Sequence, residues 1–130
     1  MPRSSSSQPT EVELQILKVL WERGPSTVRE VHLVLAETRD TGYSTTLKMM
    51  QVMLDKGLLK RDDSTRPQLY RAAKSQSKTQ VQMLDNLTQR AFQGSARRLV
   101  MSMVSAGRLS SDELAEILRL IEKGEQNDDR

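Results

Sequence analysis

The stretch Gly42-Tyr43-Ser44-Thr45-Thr46-Leu47-Lys48-Met49-Met50-Gln51-Val52-Met53-Leu54-Asp55-Lys56-Gly57-Leu58 decides how this chain folds. Thr46, Met49, Met50 and Met53 recur at i, i+3, i+4 and i+7, the spacing of one buried helical face. The opposite face carries Ser44, Lys48, Gln51 and Asp55, with Thr45, Leu47 and Val52 on its shoulders. A helix is therefore predicted from Ser44 or Thr45 to Lys56. Gly57 stops it, because a residue without Cβ accepts the left-handed backbone common at helix C-termini. Methionines at this spacing pack a core, since their flexible thioethers fill irregular gaps.

Upstream, two capping boxes announce two more helices. Thr10 and Glu13 predict a helix over about Glu11–Arg23, with Leu14, Leu17 and Trp21 as its apolar stripe and Leu20 widening it. Gly24-Pro25 ends it. Thr27 and Glu30 open the next, whose apolar positions are Val28, Val31 and Leu35. The polar stretch Thr38–Gly42 has the length of a turn between packed helices. Trp21 and Phe92 are expected to anchor cores.

Beyond Gly57 the pattern turns from helical to extended. Leu58–Arg61 and Gln68–Ala72 flank the turn cluster Asp62–Pro67, which predicts a β-hairpin. Three helices followed by a basic hairpin is the order of a winged helix-turn-helix. Its third helix enters the major groove, and its hairpin wing touches backbone or minor groove. The Ser/Lys/Gln-rich run Lys74–Thr79 is expected to be a hinge.

Further on, Val81, Leu84, Thr88 and Phe92 mark a fourth helix, and Leu99, Val100 and Met103 a segment that Gly107 breaks. Ser110 and Glu113 form a third capping box ahead of Leu114, Ile117, Leu118 and Ile121, the cleanest amphipathic face in the chain. So short an appendage offers these faces little to pack on. Either they fold back on the N-terminal helices or, more economically, they meet a second copy. The expected dimerisation residues are Leu84, Phe92, Leu99, Val100, Met103, Leu114, Ile117, Leu118 and Ile121. The fold class is thus mainly α with a small β-hairpin: a winged helix-turn-helix domain (10–74) followed by an α-helical dimerisation region (75–124). Disordered tails are expected at 1–9 and 125–130, with fraying from Glu122.

Composition narrows the function. The chain has 130 residues, 36% apolar and 28% charged, and contains no cysteine and one histidine, His32. Disulfides, thiolate nucleophiles, zinc fingers and copper–thiolate sites are thereby excluded. His32 cannot build a multi-histidine metal site and is expected to be a partly buried or solvated side chain. No glycine-rich phosphate loop or nucleophile elbow is present, so no catalytic residue, metal or cofactor is assigned. Met1–Thr10 lacks the apolar centre of a signal peptide, and no apolar run reaches bilayer length. A cytoplasmic protein without membrane insertion is expected.

The formal charge is only +3, but it is unevenly placed: Arg39–Lys74 holds 8 Lys/Arg against 4 Asp/Glu, whereas 75–130 holds 8 of each. A local excess of this kind suits a polyanion. On the third helix, Ser44 and Thr45 sit where hydroxyls and free N–H groups grip a phosphate. Lys48 and Gln51 are placed to reach guanine and adenine edges, and Leu47 or Thr45 a thymine methyl. Tyr43 either contacts phosphate or staples the turn. Arg61, Arg66 and Arg71 line the wing, Arg66 being the best placed for backbone or minor groove. Lys60 and Arg61 have Asp62 and Asp63 as alternative partners. Arg29, early in the second helix, is a further phosphate candidate. A winged helix used for protein docking remains the competing reading, with Leu47 and Val52 in its favour.

The quoted stretch also resembles the recognition-helix region of the penicillinase repressor family, BlaI/MecI. Glu13-Leu14-Gln15-Ile16-Leu17 with Leu20-Trp21, then Val28-Arg29-Glu30-Val31, is similar to that family's first two helices, and Tyr70-Arg71-Ala72 to the close of its wing. The similarity is close over about Thr10–Ala73 and looser to Ile121. It implies a homodimeric repressor on a palindromic operator of double-stranded DNA, held together by C-terminal helices. It further implies a membrane-bound sensor metalloprotease whose cut separates dimerisation from DNA binding. Two departures stand out. Ser102-Met103 occupies the place of the Asn-Phe scissile pair of antibiotic-responsive members, and the C-terminal cysteine motif of copper-sensing members is missing.

Overall fold

Reciprocal caps open the first two helices, as their sequences require. In α1 (Glu11–Arg23) the Thr10 hydroxyl accepts from the Glu13 amide at 3.2 Å, while the Glu13 carboxylate accepts from the Thr10 amide at 2.9 Å. In α2 (Val28–Leu35) Thr27 and Glu30 repeat the exchange at 3.1 and 2.8 Å. The structure, a computed structural model, describes residues 8–128.

Helix α3 (Tyr43–Asp55) begins one residue before the expected start, with Gly42 rather than a hydroxyl residue at its N-cap. Its end follows the glycine rule. At Gly57, φ is +84°, and the Leu58 amide donates to Met53 O at 2.9 Å and the Gly57 amide to Leu54 O at 3.1 Å. These two bonds satisfy carbonyls that the helix leaves open.

The chain then forms β1 (Leu59–Asp62) and β2 (Leu69–Ala72), antiparallel in the register Leu59↔Ala72, Lys60↔Arg71, Arg61↔Tyr70 and Asp62↔Leu69. The free edge of β2 is covered by Ser26, which exchanges backbone bonds with Tyr70 at 2.9 and 2.8 Å. That bridge welds the wing to the α1–α2 corner.

Ile16, Leu17, Val19, Leu20, Val28, Val31, Leu35, Met50, Met53, Leu59 and Tyr70 make one core. Ile16, Val31, Met50 and Met53 are fully enclosed. Burying each such side chain contributes about 1.5–3 kcal/mol. The methionine face of α3 is as expected except that Met49 is only half-buried. In α1 the buried stripe is rotated: Ile16 and Leu20 lie at its centre, while Leu14 and Trp21 are half-buried. The helix meets both α2 and β2, so its apolar face is wider than one stripe predicts. Trp21 keeps its indole N–H at the surface, donating to Lys74 O at 3.0 Å.

The chain divides into two compact units, up to Leu84 and from Asp85. Their boundary lies inside α4 (Gln76–Ala91), not at a hinge between 74 and 79. Ser75 caps that stretch by accepting from the Lys78 amide at 3.1 Å, and Thr79 is buried within the first unit. Pro9, assigned to a tail by the sequence, is buried as well, and with Leu17, Leu58 and Thr79 it lines a cavity of about 60 Å³.

In the second unit, Phe92 falls in the turn after α4 instead of on the helix. Helices α5 (Ala96–Ser105) and α6 (Ser111–Asp128) follow. The Ser110–Glu113 box forms at 2.8 and 3.1 Å. Helix α6 continues past Glu122 and the expected boundary at 124, because Gly124 is the sole weak helix former between Glu122 and Gln126. Residues 1–7 of the expected N-terminal tail, and 129–130 of the C-terminal one, lie outside the described residues.

Candidate nucleic-acid interface

The Thr46–Met50–Met53 face holds α3 against the core and so turns the opposite face to solvent. Ser44, Thr45, Lys48, Gln51 and Asp55 are exposed, Tyr43 and Val52 are 46% and 40% exposed, and Leu47 is half-buried. No side chain caps the helix, so its first amides keep their donors free beside the Ser44 and Thr45 hydroxyls. A helix end of this kind, with its partial positive charge, attracts phosphate. Lys48 has no ion-pair partner among the described residues.

One connection was not legible in the sequence. His32 Nδ1 stands 3.0 Å from the buried Thr46 hydroxyl, and the His32 ring meets Tyr43 edge to face, with centroids 5.7 Å apart. The lone histidine therefore braces the first turn of α3. Only its half-burial was expected; no spacing rule links positions 14 residues apart in two helices. A second such contact ties the end of α3 to α1: Lys56 Nζ lies 2.8 Å from Glu13 Oε2.

The wing arginines differ from one another. The Arg61 guanidinium bonds the Asp63 carboxylate, which together with the influence of the nearby Tyr70 hydroxyl holds its pKa above the ordinary value. Arg66 turns back on the wing, donating to Asp63 O at 2.9 Å and Thr65 O at 3.1 Å. Asp63 also accepts from Gln68, and Asp62 accepts from the hydroxyl and amide of Ser64, which lower its pKa. Arg71 and Arg29 are exposed. On the shoulder of α3 an open cleft of about 470 Å³ runs between Thr10 and Glu13 on one side and Ser44, Lys48, Met49 and Val52 on the other.

The second unit lacks a core of its own. Among its described residues none is buried. Phe92, Leu99 and Leu114 are half-buried, whereas Val100, Met103, Ile117, Leu118 and Ile121 are exposed, as is Leu84 at the end of the first unit. Leu87, Met101, Val104 and Leu120 extend the apolar surface, Leu120 being 65% exposed. Ser102 is also exposed on α5.

A helix packed by its methionine face, open at its N-terminus and followed by a hairpin, has the build of a DNA reader. The family model described as penicillinase repressor matches residues 9–123. The chain belongs to the penicillinase repressor family. No curated protein matches it. As a penicillinase repressor family member it is a DNA-binding transcriptional repressor, and that family is one of regulators rather than an enzyme class. Among the described residues, no helix is long and apolar enough to cross a membrane, and no three acidic or histidine side chains cluster as metal ligands.

Proposed function

We propose that this repressor acts as a homodimer on palindromic operators, each copy laying α3 in the major groove of one half-site. The observation that carries the reading is the exposed stripe Ser44–Lys48–Gln51, directly opposite the buried Thr46–Met50–Met53 face of the same helix. In this reading Lys48 and Gln51 contact base edges, and Leu47 or Thr45 packs on a thymine methyl. Ser44, Tyr43 and Arg29 take phosphates, and Arg61, Arg66 and Arg71 serve from the wing.

Dimerisation by α4–α6 is supported by the exposed apolar rows of a unit that buries nothing by itself, since such a unit gains too little from burial to offset chain ordering. Two linked half-site contacts reinforce each other through effective concentration. Cleavage at Ser102-Met103 by a membrane-bound sensor metalloprotease would remove that linkage and leave the reading head intact.

The test is Lys48→Glu in the full chain. Specific operator binding in gel shifts should be lost while sedimentation still shows a dimer. An intact dimer with unchanged affinity would mean that the reading face is wrong. The competing protein-docking reading draws on the apolar cleft beside Val52. It would be favoured if no duplex from the chain's own upstream region bound at low salt.

A further inference from the structure

We propose that Lys60 and Arg71 form a clamp on the outer face of the wing for one phosphodiester of the DNA backbone, a role that rests on the DNA-binding reading above. The register places the two directly opposite each other, Lys60 on β1 and Arg71 on β2. Leu59 and Tyr70, which alternate with them, are buried in the core, so Lys60 and Arg71 stand together on the solvent side. Like charges facing each other across a strand pair destabilise a hairpin. Nothing within the fold relieves this: among the described residues neither side chain has a hydrogen-bond or ion-pair partner.

The other cations of the wing are engaged. Arg61 is held by Asp63, and Arg66 by two carbonyls of its own turn. The nearest acid on the outer face, Asp62, stands opposite Leu69 and is taken up by Ser64. The clamp residues open on a cleft of about 500 Å³ that Pro25, Arg61, Asp62 and Leu69 also line. An ammonium on a flexible stem and a planar guanidinium fork converge there from two strands, an arrangement that suits the non-bridging oxygens of a single phosphate. The repulsion that costs the free hairpin stability then becomes attraction for an anion placed between the charges.

The clamp adds Lys60, to which the sequence gave an acidic neighbour, to the wing contacts already proposed. Residue spacing could not show it, since the pairing depends on hairpin register.

The experiment measures anisotropy of labelled duplexes, one carrying the chain's own upstream operator and one unrelated, across a salt series. It compares the full chain with Lys60→Gln, Arg71→Gln, the double variant, and Lys18→Gln, an exposed cation on α1. For the double variant the slope of log K against log salt should fall by about 0.9 per protomer, with roughly tenfold weaker binding per lost contact near 0.1 M salt. Both duplexes should weaken alike, because phosphate contacts carry no base information. Relief of the repulsion should leave the melting temperature unchanged or raise it by about 1–4 °C.

Unchanged affinity and slope in the double variant, with the unmodified chain still binding its operator, would overturn the clamp and leave the repressor reading standing. So would an equal loss in Lys18→Gln, weakening of the operator alone, or a fall in melting temperature. Failure of the unmodified chain to bind either duplex would overturn both.

Discussion

His32 Nδ1 and Thr46 Oγ1 are 3.0 Å apart, so the single histidine of the chain joins α2 to the first turn of α3. Thr46 is fully buried and Tyr43 packs its ring edge to face with the imidazole. His32→Ala leaves a buried hydroxyl with only a long, 3.5 Å approach to Gly42 O and removes the support of Tyr43. A loss of about 1–2 kcal/mol of stability is expected. Operator affinity should fall beyond what that loss explains, at a temperature where both proteins are folded. His32→Asn, which keeps a polar atom near Thr46 but no ring, should recover the stability and not the affinity. Urea denaturation and gel shifts on the same samples read both.

Glu13 carries two duties on one buried carboxylate: Oε1 completes the α1 capping box and Oε2 holds Lys56. Glu13→Ala should cost about 2–4 kcal/mol, combining a lost cap with a stranded, half-buried ammonium. Glu13→Gln keeps an acceptor for the cap and should lose about half as much. A urea midpoint for Glu13→Gln equal to that of the unmodified chain would show that the Lys56 pair contributes nothing.

Deleting residues 106–130 removes α6 and with it the exposed apolar row Ile117, Leu118, Leu120 and Ile121 of the second unit. The product is expected to sediment as a monomer, with the first unit still unfolding cooperatively, since its core lies wholly before Leu84. Operator affinity should drop by about 10²–10⁴ as the effective concentration of the second half-site contact is lost. Undiminished binding would rule out the dimer.

Two exposed carboxylates make the fold sensitive to acid. Glu30 is held below its ordinary pKa, chiefly by the Thr27 backbone N–H, and Asp62 chiefly by the Ser64 hydroxyl. A pKa lower in the folded than in the unfolded chain stabilises above the unfolded value, near 4, and that contribution disappears as pH falls through the folded one. Stability should therefore decline below about pH 4–5. Carboxyl NMR titration should place both midpoints low, and Ser64→Ala should raise that of Asp62 without moving Glu30.

What could be read from the chain was whatever local chemistry encodes. Thr10–Glu13, Thr27–Glu30 and Ser110–Glu113 announced helix starts because a cap involves neighbours three residues apart. Gly57 and the Met50–Met53 spacing fixed the end and the inward face of α3, and with them the outward Ser44–Lys48–Gln51 stripe. Contacts between distant segments were not legible. Ser26 pairs with Tyr70, His32 with Thr46 and Lys56 with Glu13, each across an interval that carries no periodic signal. The α1 stripe was misplaced for the same reason, because β2 adds a second surface for that helix to cover. The sequence favoured Arg66 among the wing arginines, and only the turn geometry shows it bonded to its own backbone.

The indole of Trp21 reaches across 53 residues to the Lys74 carbonyl, at the point where the chain leaves the wing. It is the sole tryptophan, and both tyrosines also precede Leu84. Intrinsic emission is thus an unlabelled optical gauge of the reading head: quantum yield and wavelength follow docking of that strand exit, while the helical appendage contributes no signal. Titrations watched by fluorescence will be blind to assembly, and light scattering on the same cuvette supplies the missing half.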